Sequence, residues 1–177
     1  NDASTDEKVW PWLQSRIAKH RQSPERIVTL LNNDTNLGFI GTVNRGLRIA
    51  QEENPPCPEG ISEGPIILLN SDAFVPTNWA SRLVAPMWDQ DDVATTTPMS
   101  NDAEIFSIPK ICTRCDLRPG DADAIDAVAS ELNSLASDIE VPTGVGFCMA
   151  IARDWVTQVG NLDTVFGRGY GEEVDWC

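Results

Sequence analysis

Two short polar clusters carry residue types whose spacing suits chemistry. Asn70-Ser71-Asp72 follows the apolar run Ile66-Ile67-Leu68-Leu69. On an extended segment, side chains two apart face the same way, so Asn70 and Asp72 can offer two oxygens to one hard cation. Mg²⁺ or Mn²⁺ is commonly held by one or two protein oxygens, with phosphates supplying the rest. The competing reading is a strand-ending turn in which Asn and Asp make local hydrogen bonds. Glu172-Glu173-Val174-Asp175 is the second cluster. Carboxylates this close repel, which raises the pKa of at least one and equips it to act as a base. Gly167, Gly169 and Gly171 precede it and permit a tight backbone that closes over a ligand. A solvated acidic helix start is the plainer alternative, because carboxylates favour a helix N-terminus.

Other candidates are weaker. Asn36-Leu37-Gly38-Phe39 and Asn44 read first as a loop and the start of a helix. Of the six Trp, Trp79, Trp88 and Trp155 are expected in the core. Trp176 lies beside the acidic cluster, where its ring can stack on a sugar. Cys112-Thr113-Arg114-Cys115 has the spacing of half a zinc site, but a structural zinc needs about four ligands. No second close pair exists and His20 is the only histidine, so a plain thiol pair is expected. Five cysteines, an odd number, fit a reducing compartment better than a disulfide framework.

Thirteen Lys and Arg face 27 Asp and Glu, a formal net charge of −14. That balance argues against nucleic acid and anionic lipid as partners, since both need clustered cations. A phosphorylated ligand would need a divalent cation to help hold it. No stretch approaches the ~18 apolar residues of a membrane span. The start, Asn1-Asp2-Ala3-Ser4-Thr5-Asp6, is polar, is no signal peptide and carries no initiator Met. The chain is therefore expected to come from something longer.

The elements that must position these clusters follow from pattern. Ser4 with Glu7 reads as a capping box, and Val9, Leu13 and Ile17 recur at helical spacing to about residue 20. Ile27–Leu31 is β-branched and apolar, hence a strand. Ile40, Val43, Leu47 and Ala50 mark a helix. Residues 53–65 hold four Pro and two Gly and read as a surface connection. Ile66–Leu69 shows no polar alternation, as in a buried strand of a parallel sheet. A short helix at Trp79–Met87, a strand at Val93–Thr97, a helix through Ile125, Val128, Ala129, Leu132 and Leu135, a strand at Gly144–Ile151 and a short helix ending at Gly160 complete the series. Residues 99–121 are irregular. Alternating strands and helices predict one α/β domain with a mostly parallel sheet.

In order, the motifs resemble those of the inverting family 2 glycosyltransferases, and the resemblance spans nearly the whole chain. Asn1-Asp2-Ala3-Ser4-Thr5-Asp6 resembles the family's Asp-Asp-Gly-Ser-x-Asp segment, with Asn1 in place of the first Asp. Asn36-Leu37-Gly38-Phe39, with Asn44, Gly46 and Ala50, is similar to its Asn-x-Gly-x-x-x-Ala-x-Asn-x-Gly region, with Thr42 where Ala is common. Asn70-Ser71-Asp72 resembles its Asp-x-Asp motif in an Asn-x-Asp form found among rhamnosyltransferase-like members. Val145–Met149, Val159–Asp163 and Phe166 are similar to the stretch leading to the family's base. Gly171-Glu172-Glu173-Val174-Asp175 matches its Glu-Asp motif, with Glu173 at the base position. The Phe-Gly-x-Gly-Tyr-Gly-Glu-Glu form implies a bacterial polysaccharide or surface-glycan enzyme.

The resemblance implies the GT-A fold, with the family's first strand missing and residues 1–177 forming one catalytic domain cut short at both ends. It implies metal-dependent transfer, with inversion, from a nucleotide-diphosphate sugar to a hydroxyl of a glycan or lipid-linked acceptor. Glu173 would be the base, with Glu172 beside it. Asp72 and Asn70 would hold Mn²⁺ or Mg²⁺. Asn1, Asp2, Asn36, Asn44, Asn70 and Asp72 would line the donor site. Asp175 and Trp176 would meet the acceptor, and residues 99–140 would shape its access. The location implied is cytoplasmic, at the inner membrane only through regions outside this chain. A different class remains open: a non-catalytic domain that binds a sugar nucleotide or glycan within a larger synthase. Leu37–Thr42 also bears a superficial likeness to a nucleotidyltransferase loop, but its glycine spacing is wrong and Val43 stands where Arg is needed.

Overall fold

The computed structural model describes residues 1–20, 28–52, 64–118, 120–132 and 138–177. Ile27, most of the 53–65 connection and Leu135 lie outside the described residues. Helices α1 (Val9–His20) and α2 (Gly38–Glu52) precede strand β1 (Ile66–Leu69) and helix α3 (Trp79–Asp89). Strand β2 (Thr95–Thr96), helix α4 (Asp121–Leu132), strand β3 (Cys148–Ile151), helix α5 (Arg153–Val159) and helix α6 (Glu172–Trp176) follow.

The fold is α/β, but the sheet differs from the mostly parallel one that the sequence predicts. Its order is β1-β3-β2, and β3 runs antiparallel to both neighbours. Ile66 pairs with Ile151 and Leu69 with Cys148, while Thr95 also pairs with Ile151. The Asn70 N–H donates to the Phe147 carbonyl at 2.8 Å and carries the β1–β3 ladder one step further. An unbroken apolar run says nothing of strand direction, which is why pattern alone misjudged the pairing. The run that is buried throughout is β3, where Cys148, Met149, Ala150 and Ile151 are all at 0% exposure. β1 is an edge strand, only partly buried, with Leu69 exposed.

The expected strand at Ile27–Leu31 has no counterpart among residues 28–31. Two bonds show what this segment does instead. The Asn1 amino group donates to the Leu31 carbonyl at 2.8 Å, and the Asn33 N–H donates to the Asn1 carbonyl at 2.9 Å. These bracket Asn32 in the manner of a parallel ladder. One residue of pairing is too little for a strand.

The core is a compact cluster of Ile40, Leu47, Met149, Ile151, Val156, Leu162 and Trp176. Ile40 and Leu47 come from the apolar stripe of α2, as their spacing predicts. Burial pushes the Cys148 thiol up to about 11, so it serves as apolar filling. Arg153, opening α5, donates to the Ala50 carbonyl near the end of α2, a favourable place for a cation.

Three helical expectations need correction. α1 starts at Val9, with the Lys8 N–H bonded to Asp6 Oδ1 at 2.9 Å, rather than at the Ser4–Glu7 box. A helix begun there would place Pro11 in its interior, whereas the later start puts Pro11 in the first turn, where no donor is needed. The apolar residues of α4 do not reach the core: Val128 and Leu132 are exposed. α4 meets α3 and the segment before it through polar contacts, Asp123 accepting from the Thr77 N–H at 2.7 Å and Asp126 pairing with Arg82 of α3 at 2.9 Å. Trp88, expected inside, is exposed at the end of α3, while Trp155 packs against the core.

Candidate functional site

Asn70, Ser71 and Asp72 lie at the carboxyl end of β1 and all three are exposed. The Ala73 N–H donates to the Asn70 carbonyl at 3.2 Å, closing a tight turn. That turn uses backbone groups, which leaves the side-chain oxygens of Asn70 and Asp72 facing solvent. Among the described residues, no group of three or more His, Cys, Asp or Glu could hold a metal. A cation here would therefore need most of its ligands from a bound substrate.

Asn70 also lines a cleft of about 350 Å³ with Phe39, Thr42, Val43, Gly46, Leu47, β1 and Gly146. Gly146 is a close-approach position. A methyl group there would stand 2.9 Å from Phe39 Cζ and 3.9 Å from Glu173 Oε1. The acidic cluster thus lies by the Asn70 end of the cleft, since the Asn70 N–H bonds the carbonyl of Phe147, next to Gly146.

That cluster is set by the glycine-rich loop before it. Gly167, Gly169 and Gly171 all have positive φ, at 72°, 143° and 102°. The loop lies on the first turn of α2: the Phe39 N–H donates to the Arg168 carbonyl at 3.3 Å. Gly38 (φ 72°) sits so close that a Cβ would be 3.4 Å from Arg168 Cα. Chain reversal at Gly171 then sends Glu172 inward, to 3% exposure. Oε2 of Glu172 and Oε2 of Glu173 are buried with no hydrogen-bond partner. Burial, chiefly, and then the charge and hydrogen bonding of Glu173 hold Glu172 above the usual carboxylate range. The Glu172 and Tyr170 backbone N–H groups, which face that carboxylate, pull the other way.

A second polar network meets the other side of the α2 N-terminus. Asp2 accepts from the Leu37 N–H at 2.7 Å, the Gly38 N–H at 2.9 Å and Asn33 Nδ2 at 2.8 Å. It therefore caps α2 from a distant part of the chain. Desolvation pushes its carboxyl up, but bonds from Leu37, Asn33, the Thr42 hydroxyl and Gly38 together bring it below the ordinary value. Asn36 donates to the Asp2 carbonyl at 3.3 Å, and Asn1 donates to Asn32 Oδ1 at 2.6 Å. Asn33, which sequence reading did not single out, is 6% exposed and the hub of this network. It also bonds Thr42 Oγ1 at 3.0 Å and accepts from Arg45. The run of asparagines was the available signal.

The structure therefore gathers Asn1, Asp2 and Asn36 on one side of the α2 N-terminus and Glu172 and Glu173 on the other, with Asn70 bonded to Phe147 beside Gly146. Asn44, Asp175 and Trp176 stand apart from that cleft. Both ends of the Asn44 carboxamide bond the Leu162 backbone, at 2.8 and 2.9 Å. Trp176 is 6% exposed, with its indole N–H on the Gly160 carbonyl at 2.8 Å. These two line a separate hollow of about 500 Å³ with Asn161, Asp163, Thr164 and the exposed Asp175. Cys112 and Cys115 are free thiols in the 99–118 turns. No helix among the described residues is long and apolar enough to cross a membrane.

Residues 1–160 match the model of glycosyl transferase family 2, and the chain belongs to that family. Membership implies a glycosyltransferase that uses a nucleotide-sugar donor and an acceptor. The matched span includes Asn70–Asp72 and stops short of Glu172. Comparison with curated proteins and with solved structures returns no match.

Proposed function

We propose that the chain transfers a sugar from a nucleotide diphosphate to an acceptor hydroxyl by a single displacement with inversion. The observation that carries this is the docking of the 167–171 loop on α2. It buries Glu172 and Oε2 of Glu173, with Glu173 close to Gly146, which lines the cleft together with Phe39 and Asn70. Glu173 takes the proton of the acceptor hydroxyl as its oxygen attacks the anomeric carbon and the diphosphate departs. Glu172, whose carboxyl burial holds above the usual carboxylate range, stands beside Glu173 and orients it. Phe39 and the apolar wall of α2 keep water from the reacting face.

Asp72 and Asn70 fit a divalent cation of the Mn²⁺ or Mg²⁺ type: two exposed oxygen donors, with diphosphate oxygens filling the remaining positions. When bound, such a cation would neutralise charge on the leaving group. Asp2 serves the donor side by holding the α2 N-terminus and Asn36 in place, and Asn44 does so by tying α2 to Leu162. Asn1 presents its side chain at the same edge. The Phe166–Glu173 sequence supports a surface-glycan role of the rhamnosyltransferase-like kind, in a bacterium. The free thiols Cys112, Cys115 and Cys148 favour a reducing, cytoplasmic setting.

The test is donor turnover by the purified protein with Mn²⁺ present. Glu173→Gln is expected to lower transfer by about 10²–10⁴-fold, and Asp72→Ala to abolish the dependence on metal. Full activity in both variants refutes the assignment. Calorimetric binding of nucleotide diphosphate without any transfer would instead favour a binding domain of a larger synthase.

A further inference from the structure

Tyr170 is the only tyrosine in the chain, and it is 98% exposed. Its φ is 78°, between Gly169 at 143° and Gly171 at 102°. The left-handed region disfavours any residue with a Cβ, and glycine occupies it freely. Glycines stand on both sides of position 170, yet an aromatic residue occupies the middle. Packing does not explain it, because the ring touches so little of the protein. Backbone geometry does not explain it either, because the backbone would suit a third glycine better.

Its place in the fold suggests a use. The residue lies on the loop that docks on α2 through Arg168. It is two positions before Glu172, whose carboxylate its own backbone N–H faces. The root of the side chain is thus fixed at the buried acids while the ring stands free in solvent. An aromatic ring presents a large, rigid apolar face at little cost in side-chain freedom. A pyranose has a complementary face of C–H groups, with its hydroxyls at the rim. Trp176, the ring that sequence suggested for this task, is already packed in the core.

We propose that Tyr170 is a stacking platform for the pyranose ring of the acceptor, seating the hydroxyl to be glycosylated over Glu173. This rests on the glycosyl-transfer reading above and names a recognition element of the same site. The acceptor is assigned because the ring is rooted on the carboxylate side. The donor-side residues Asn1, Asp2 and Asn36 form a separate network around Asn33.

Two variants separate the ring from the backbone. Tyr170→Gly deletes the ring and installs the residue that the local φ favours, so the fold is kept. Tyr170→Phe keeps the ring and removes the hydroxyl. The probes are methyl α-D-glucoside, methyl β-D-galactoside and methyl α-L-rhamnoside, titrated by saturation-transfer NMR. Uridine, guanosine and thymidine diphosphates with Mn²⁺ are titrated in parallel. The expected result is that at least one glycoside binds the native protein. Tyr170→Gly should weaken it fivefold or more, Tyr170→Phe should restore it, and nucleotide affinity should not change. The proposal is overturned if Tyr170→Gly binds the glycosides as the native protein does, or if no glycoside binds the native protein. Equal loss of nucleotide affinity would move the ring to the donor and also overturn it. Failure of the underlying reading would show separately, as a native protein that binds no nucleotide diphosphate and transfers no sugar.

Discussion

Asp2→Asn isolates the cap that holds the donor side of the site together. The carboxylate takes the N–H groups of Leu37 and Gly38 and the side chain of Asn33, at 2.7–2.9 Å. Asparagine keeps one oxygen but turns an N–H₂ group towards at least one of these donors. Losing one charge-assisted bond costs about 1.5–3 kcal/mol, and losing the charge at a helix N-terminus about 0.3–1 kcal/mol. Asp2 is only partly buried, which places the sum near the lower end, at about 2 kcal/mol. For a domain of this size each kcal/mol moves Tm by about 2–4 °C, so thermal unfolding at neutral pH should show a fall of roughly 4–8 °C. The pH dependence is a second check. The folded carboxyl lies below its ordinary 3.8, so between the two values the unfolded state binds more protons and stability rises with pH. The difference between native protein and variant should be full above 3.8 and should close as pH falls through the lowered folded value. A gap absent at neutral pH, or one that persists far below that range, would refute the capping argument.

Two further outcomes follow from the same structure. Glu172→Gln should raise Tm at neutral pH, because the folded pKa is above its ordinary 4.5 and ionisation there costs stability; the gain should vanish on acidification below 4.5, and transfer activity should fall with it. Asn44→Ala should lower the urea midpoint by an amount equivalent to about 3 kcal/mol, since it strands the buried N–H and carbonyl of Leu162.

Local rules recovered much of this protein from its residues. The stripe of Ile40, Val43 and Leu47 placed α2, the apolar run at Ile66 placed β1, and Gly160 ended α5, because helix period, strand composition and positive-φ glycines act over a few residues. Motif order likewise reached the family, since Asn70–Asp72 and the segments before it are each short continuous stretches within the matched residues 1–160. Long-range outcomes were decided by tertiary structure. Strand direction depended on β3 inserting between β1 and β2, which no apolar pattern encodes. Pro11 moved the start of α1, and the exposure of Trp88 and Leu132 followed from where their helices dock. At the site, residue types named Asp2, Glu172 and Trp176 as polar or aromatic candidates, but only the folded chain assigned their work. Asp2 became a cap because α2 begins beside it, and Trp176 entered the core because Gly160 offered its indole a carbonyl. Tyr170 stood in the sequence only as part of the glycine-rich stretch before the acids, since exposure and backbone angle are properties of the fold and not of the residue.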